Sequence, residues 1–341
     1  MTHKVFFHEH HNCLTLCACA IVHPIVDIKQ IWHDHQLYGV RVKNGRRRFI
    51  PKKRFFNEEI SEHSGLEVHH FTFSEYEDFE NELNAHIKNG YYTMVPVDTY
   101  YLPYSKLYQD EHNHHWIVVW KEHETSYSVI DHYYNNDTTV DKSITQSAVE
   151  GFMKIHDYGQ YQFYTIETEN YRDLTLGAYI QVLEENISLF MGNQYIGEQL
   201  NQLVLEDAVI ISQGLSVFFD MYASIEKDLQ NTDKMGKDEY ESYYEDFLDI
   251  SHARYVFSEF LKSFEVSINK TELIDLICEI SQDYRLCSNY ALKSMYDGGK
   301  SLEKMLKRLK QIEKKEKDFI KLLTAYLAEM RQSDLSLKKG R

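Results

Sequence analysis

The chain lacks several things, and each lack narrows what it can be. No apolar run reaches 18 residues in the 341, so no transmembrane helix is expected. The opening MTHKVFFHEHHN has no long apolar core of the kind a signal peptide needs, so the expected location is the cytoplasm. Cysteine is scarce and irregular, at positions 13, 17, 19, 278 and 287, which does not suggest a disulfide framework. Positive charge is in deficit. The 37 Lys and Arg against 53 Asp and Glu leave a formal charge of -16, which argues against a general nucleic-acid binder. Proline is confined to Pro24, Pro51, Pro96 and Pro103, so nothing beyond Tyr104 breaks a helix by that route.

What is present is a folded protein. Hydrophobic residues make up 43 %, with 26 Tyr and 18 Phe, enough for two ordinary domains. In the first half, residues 13–22 read as a short apolar helix. Segments 37–42, 93–98, 115–120, 126–131 and 160–166 read as strands. Ser74 to Glu77 reads as a capping box opening a helix that Gly90 ends, and a second helix is expected over 143–156. From about Asn170 the spacing becomes that of long amphipathic helices, five or six of them, including one through VLEDAVIISQGLSVFFDMYASIE. The expected fold is α+β: an N-terminal domain with an antiparallel sheet over 1–167, then an all-helical domain over 168–341.

Three residues could form a thiol-based acyl-transfer site. Cys13 stands where the polar HEHHN stretch turns into LTLCACAIV, at an expected helix N-terminus. There the helix dipole and free N–H groups favour a thiolate, and the Cys13 N–H can serve as an oxyanion donor. Taken alone, Cys13 is more often a buried structural cysteine, and Cys17, one turn on, is a rival for the role. His115 opens the strand HWIVVW, on the same face as Ile117 and Val119. Asp131 closes the next strand, YSVID, where it can hold the His115 Nδ1–H. His114 and His112 are alternative cleft histidines. The cluster HEHHNC offers five candidate ligands in six residues but none of the usual zinc spacings, so no metal is expected. His10, His11 and Asn12 read as cleft-lining groups.

Against the acidic whole stands a basic run: Arg41, Lys43, Arg46, Arg47, Arg48, Lys52, Lys53 and Arg54. It is either a solvated hairpin turning at Asn44-Gly45 or a docking patch for an acidic partner.

Taken together, VPVDTYYLPYSKLYQDEHNHHWIVVWKEHETSYSVIDHY and the early HEHHNCLTLCACAI resemble the butirosin biosynthesis protein H family. The resemblance implies a papain-like acyltransferase that moves an acyl or aminoacyl group from a carrier protein to an amine. Cys13 would be the nucleophile, His115 the base and Asp131 the orienting acid, with Asp98, Tyr100 and Tyr101 lining the pocket beside His11 and Asn12. No cofactor is bound by the protein itself. Phosphopantetheine on an acyl or peptidyl carrier protein is the donor arm, and Arg46, Arg47, Arg48, Lys52, Lys53 and Arg54 are its expected docking surface. No nucleic acid or membrane partner is expected. The same three residues also suit a hydrolase or cyclising thioesterase, and a non-catalytic scaffold is a further reading. The glycine-rich segment usual after the family's first helix is replaced here by the basic stretch 30–56.

Overall fold

The computed structural model describes residues 5–43, 45–52, 55–156, 159–192, 195–200, 208–265 and 268–339. In chain order the first elements are α1 (Cys13–Val22), β1 (Tyr38–Arg41), β2 (Arg47–Ile50), α2 (Phe56–Ser61), β3 (Glu67–Phe73) and α3 (Tyr76–Lys88). Next come β4 (Thr93–Asp98), β5 (His114–Glu122), β6 (Ser126–Asp131), β7 (Asn136–Asp141), α4 (Lys142–His156) and β8 (Tyr161–Glu167). The remainder is α5 (Leu176–Met191), β9 (Gln199–Leu200), β10 (Ala208–Gln213), α6 (Val217–Leu229), α7 (Lys237–Ser263), α8 (Thr271–Asp297) and α9 (Lys300–Lys339). No helix among the described residues is long and apolar enough to cross a membrane.

The fold is α+β, and the chain divides into two compact units. The first comprises residues 1–28 and 56–173; the second comprises 29–55 and 174–341. The first unit is built on a six-stranded antiparallel sheet in the order β3-β8-β4-β5-β6-β7. Its core joins Phe79 and Leu83 of α3, Val95 and Val97 of β4, Ile117 and Val119 of β5, and Ala148 and Val149 of α4. α1 packs against β5 and the Cys17 thiol donates to the Trp116 carbonyl at 3.5 Å, which fixes the helix that begins at Cys13. The helix at 76–88 forms as expected, but not through the capping box. Glu75 is its N-cap and makes no side-chain capping bond.

The second unit is helical except for a four-stranded antiparallel sheet, β2-β1-β10-β9. The helix expected through VLEDAVIISQGLSVFF is therefore corrected at 208–213. Val209, Ile210 and Ile211 are β-branched, and burial alternates from Ala208 to Ser212 as a half-covered strand requires. Gly214 then turns the chain at φ +60, where an added Cβ would lie 1.9 Å from the Phe190 carbonyl oxygen, so only glycine fits. α6 starts three residues later.

The segment 29–55 threads into this unit. His33, Asp34, His35 and Gln36, which look like loop residues in the sequence, are all buried. Arg254 of α7, fully buried, bonds Glu316 of α9 at 2.8 Å through Nε and the Gln36 carbonyl at 2.9 Å through Nη1. The His35 ring stacks on Phe257 and Phe190, and the His35 backbone N–H donates to Asn186 Oδ1 at 2.6 Å. Burial and the neighbouring Arg254 push His35 down to about 4, so it sits in the core as a neutral ring. Removing one member of a buried ion pair leaves the other charge uncompensated. Arg254→Ala should therefore cost roughly 3–5 kcal/mol in urea unfolding, well above Arg254→Met with Glu316→Leu, which removes both charges.

Candidate active site

The site grows from the N-terminus of α1. Asn12 is the N-cap, its Oδ1 accepting from the Thr15 N–H at 3.0 Å and from the Thr15 hydroxyl at 3.1 Å. That leaves Cys13 as the first helical residue, half-buried, with its sulfur in the field of the helix start. Asn12 is thus occupied as a cap rather than facing a cleft. His11 is likewise turned inward, its Nε2 3.8 Å from Cys19 Sγ and its ring against His8.

His115 is the second residue of β5, cross-strand partner of Val97. The ladder sets Val118 opposite Ile130, so Asp131 lies diagonally from His115 on the same face. Asp131 Oδ2 meets His115 Nε2 at 2.8 Å, and both groups are buried. The Asp131 Oδ1 accepts the backbone N–H groups of Tyr133 and Tyr134 at 3.1 and 3.0 Å, which locks the carboxylate. Cys13 is the other group that acts on the imidazole at close range. The orientation differs from that expected: Asp131 holds Nε2, which leaves Nδ1 for the sulfur.

The electrostatics follow from that contact set. Burial pushes the His115 imidazole down, but the Asp131 hydrogen bond and the neighbouring Cys13 outweigh it and lift it to about 9. An imidazolium is thus held between a sulfur and a carboxylate at neutral pH. Cys17 is the opposite case. It is fully buried, and burial together with the charges of Cys13 and Asp131 pushes its thiol well up, which leaves it an inert packing residue. His132, next to Asp131, is pushed down to about 4 by burial and accepts the Phe6 N–H at 3.0 Å. The rings of Tyr133 and Tyr134 flank His115 at 5.7 and 5.1 Å.

Sequence reasoning passed over Tyr104, Ser105 and Tyr134. Tyr134 stands beside Ser105, and Tyr104 beside Asp131 and Cys17. The signal available was the LPYS stretch directly after Asp98, but nothing in its spacing shows that it folds back under Asp131. Asp98 itself lies one residue beyond Val97, so it faces away from His115. Its carboxylate accepts from the Tyr100 and Asn113 N–H groups and meets His112 Nδ1 at 2.6 Å. Tyr100 stacks on that histidine at 4.2 Å, and Tyr101 packs onto the core. The pocket-lining place implied for Asp98 is therefore corrected: it organises the turn ahead of β5. The close fit of Gly151, where a Cβ would come within 2.9 Å of Asp98, holds that turn against α4.

The basic run lies in the second unit, on the β1–β2 hairpin. Arg47 pairs with Asp220 at 2.9 Å, and Arg48 with Asp246 at 2.6 Å and Glu245 at 3.0 Å. Arg46 donates to the Asp238 carbonyl at 2.8 Å, and Lys52 lies over the Trp32 ring. Three arginines counted as docking cations thus have structural partners within their own unit. Lys53 and Arg54 lie outside the described residues.

Residues 34–132 match the family model described as butirosin biosynthesis protein H, N-terminal, the family that the motifs resemble. The match contains His115, Asp131, Asp98 and Tyr104, and leaves Cys13 outside it. No curated protein matches the chain.

The His115 shift has a signed consequence. Its folded value, about 9, lies above the ordinary 6.5. The stability it contributes is fully present below about pH 6.5 and is lost as pH rises through about 9. Asp131→Asn removes the carboxylate charge and should bring the His115 titration down, read from its ring Cε1–H resonance by NMR. The loss of stability on the alkaline side should shift to lower pH with it.

Proposed function

We propose that this protein is a cysteine-dependent acyltransferase of specialised-metabolite biosynthesis, acting through a Cys13 acyl-enzyme. The observation that carries the reading is the buried His115, held by Asp131, with Cys13 at a helix start beside it. The printed name of the matching family supports a role in the biosynthesis of a butirosin-type antibiotic.

In this reading the donor is a thioester on the phosphopantetheine arm of an acyl or peptidyl carrier protein. The Cys13 thiolate attacks the carbonyl carbon, and the bond from that carbon to the arm's sulfur breaks. The departing sulfur takes the proton of the His115 imidazolium. A small-molecule amine then attacks the Cys13 thioester. Its nitrogen gives a proton to the now neutral His115, and Cys13 leaves as thiolate, restoring the starting pair. Asp131 keeps the ring oriented throughout. Water as the acceptor makes the same site a hydrolase, and an internal amine makes it a cyclising enzyme.

Incubation with an N-acetylcysteamine thioester should add one acyl mass to the protein, and peptide mapping should place it on Cys13. Cys13→Ala should abolish the adduct, and Asp131→Asn should slow its formation roughly 10²–10⁴-fold. Acylation at another cysteine, or none with any thioester, would favour the non-catalytic reading.

The cationic hairpin remains the proposed docking surface for the acidic carrier. The informative change is the joint reversal of Arg46, Arg47 and Arg48 to Glu, in a variant that thermal unfolding shows to be folded. It should raise KM for a carrier-bound donor several-fold and spare the small thioester. The effect should fade as salt shortens the Debye length below about 8 Å.

A further inference from the structure

Asp131 is buried, and its charge is matched by a cation only while His115 is protonated. The proposed cycle takes that proton away midway, when the departing arm sulfur leaves with it. From then until the amine gives up its proton, a carboxylate sits in the protein interior opposite a neutral ring. Such a group needs further donors if it is to stay ionised. Two are the Tyr133 and Tyr134 N–H groups, already bonded to Oδ1 in the resting site.

The groups that face the His115–Asp131 pair come from three elements. Cys13 and Cys17 come from α1, Tyr104 from the loop after β4, and His132, Tyr133 and Tyr134 from the turn after β6. His132 is occupied by the Phe6 N–H, and Tyr133 and Tyr134 turn their rings toward His115. The Tyr104 hydroxyl is different. It is shielded from solvent, lies against the Asp131 carboxylate, and completes no well-formed hydrogen bond in the resting site. Its phenol is pushed well up by burial and by the Asp131 charge, so it keeps its hydrogen at any working pH.

We propose that Tyr104 is a positioning residue that closes its hydroxyl onto Asp131 when His115 is neutral, and so holds the carboxylate ionised through the second half of the cycle. Contacts of this kind are commonly long at rest and tighten as charge develops. The kinetic half of this inference rests on the acyltransfer reading; the titration half does not. Without the phenol, Asp131 has only the imidazolium and the two turn N–H groups, and retains that proton more tightly.

Tyr104→Phe should therefore move the His115 titration up, whether or not Cys13 is present. In the acyltransfer assay it should slow amine attack on the acyl-enzyme about 10-fold per unit of that shift, while acylation by a small thioester stays near the wild-type rate. Site-specific 3-fluorotyrosine at position 104, a stronger donor of nearly the same shape, should move the titration down. Titrations are read by NMR in Cys13→Ala backgrounds, after thermal unfolding shows that each variant folds. A titration that stays put or falls in Tyr104→Phe overturns the proposal, as does equal slowing of both half-reactions. If no acyl-enzyme forms in the wild type while the titration moves as stated, the acyltransfer reading fails and the role of Tyr104 stands. If acylation proceeds and the titration does not move, only Tyr104 falls.

Discussion

The hydrogen bond between Asp131 and His115 is the contact on which the first unit's chemistry depends. It lies in the protein interior, where a carboxylate and an imidazole are both costly unless they satisfy one another. The surroundings are arranged to keep that bond in one geometry. The turn after β6 spends two backbone N–H groups on Asp131 Oδ1. The β4–β5 ladder fixes His115 opposite Val97, and the Cys17 bond to Trp116 ties α1 to the same strand. With Nε2 committed to the carboxylate, the remaining ring nitrogen has one direction to face. The same arrangement separates two cysteines a turn apart: one is half-buried beside an imidazolium, the other sealed in the core.

Much of this was legible in local pattern. The change from HEHHN to an apolar run marks the start of α1 because polar caps and apolar faces obey different rules. Strands 93–98 and 126–131 are legible to the residue because their apolar runs end at polar turns. The pairing of His115 with Asp131 follows from two antiparallel strands with a short connection, but its detail does not. A register shift between Val119 and Lys121 sets the diagonal offset, and no composition announces a bulge. The Tyr104 loop and the inward turn of His11 are likewise tertiary outcomes. So is the burial of His33 to Gln36, four polar residues whose partners Asn186, Arg254 and Glu316 are more than 150 positions away. The strand at 208–213 lay inside an apolar stretch long enough for a helix. Only its β-branched run and the glycine after it point the other way.

The basic run shows how charge counting can mislead. Eight cations in fourteen residues of an acidic protein suggest a surface seeking a partner. On the hairpin, two of the arginines meet aspartates and a glutamate of α6 and α7. Asp246, which also accepts the Phe49 N–H, is pushed up to about 6 by burial despite the pull of Arg48, so that pairing answers a need of the helical unit. A local excess of one sign is a surplus only after its folded neighbours are counted.

The interleaved division of the chain has a consequence for how the protein is made. Residues 29–55 leave the ribosome early, yet the strand that pairs with β1 lies at 208–213 and the glutamate that completes the Arg254 cluster is Glu316. At the usual ~5–20 residues per second, the segment waits on the order of 10–50 s before its partners exist. Through that interval Leu37, Tyr38, Val40 and Phe49, all fully buried in the finished protein, have no native cover. Translation speed and chaperone supply thus become determinants of yield, and a tag or fusion that delays the C-terminal helices should cost more soluble protein than one placed at the other end.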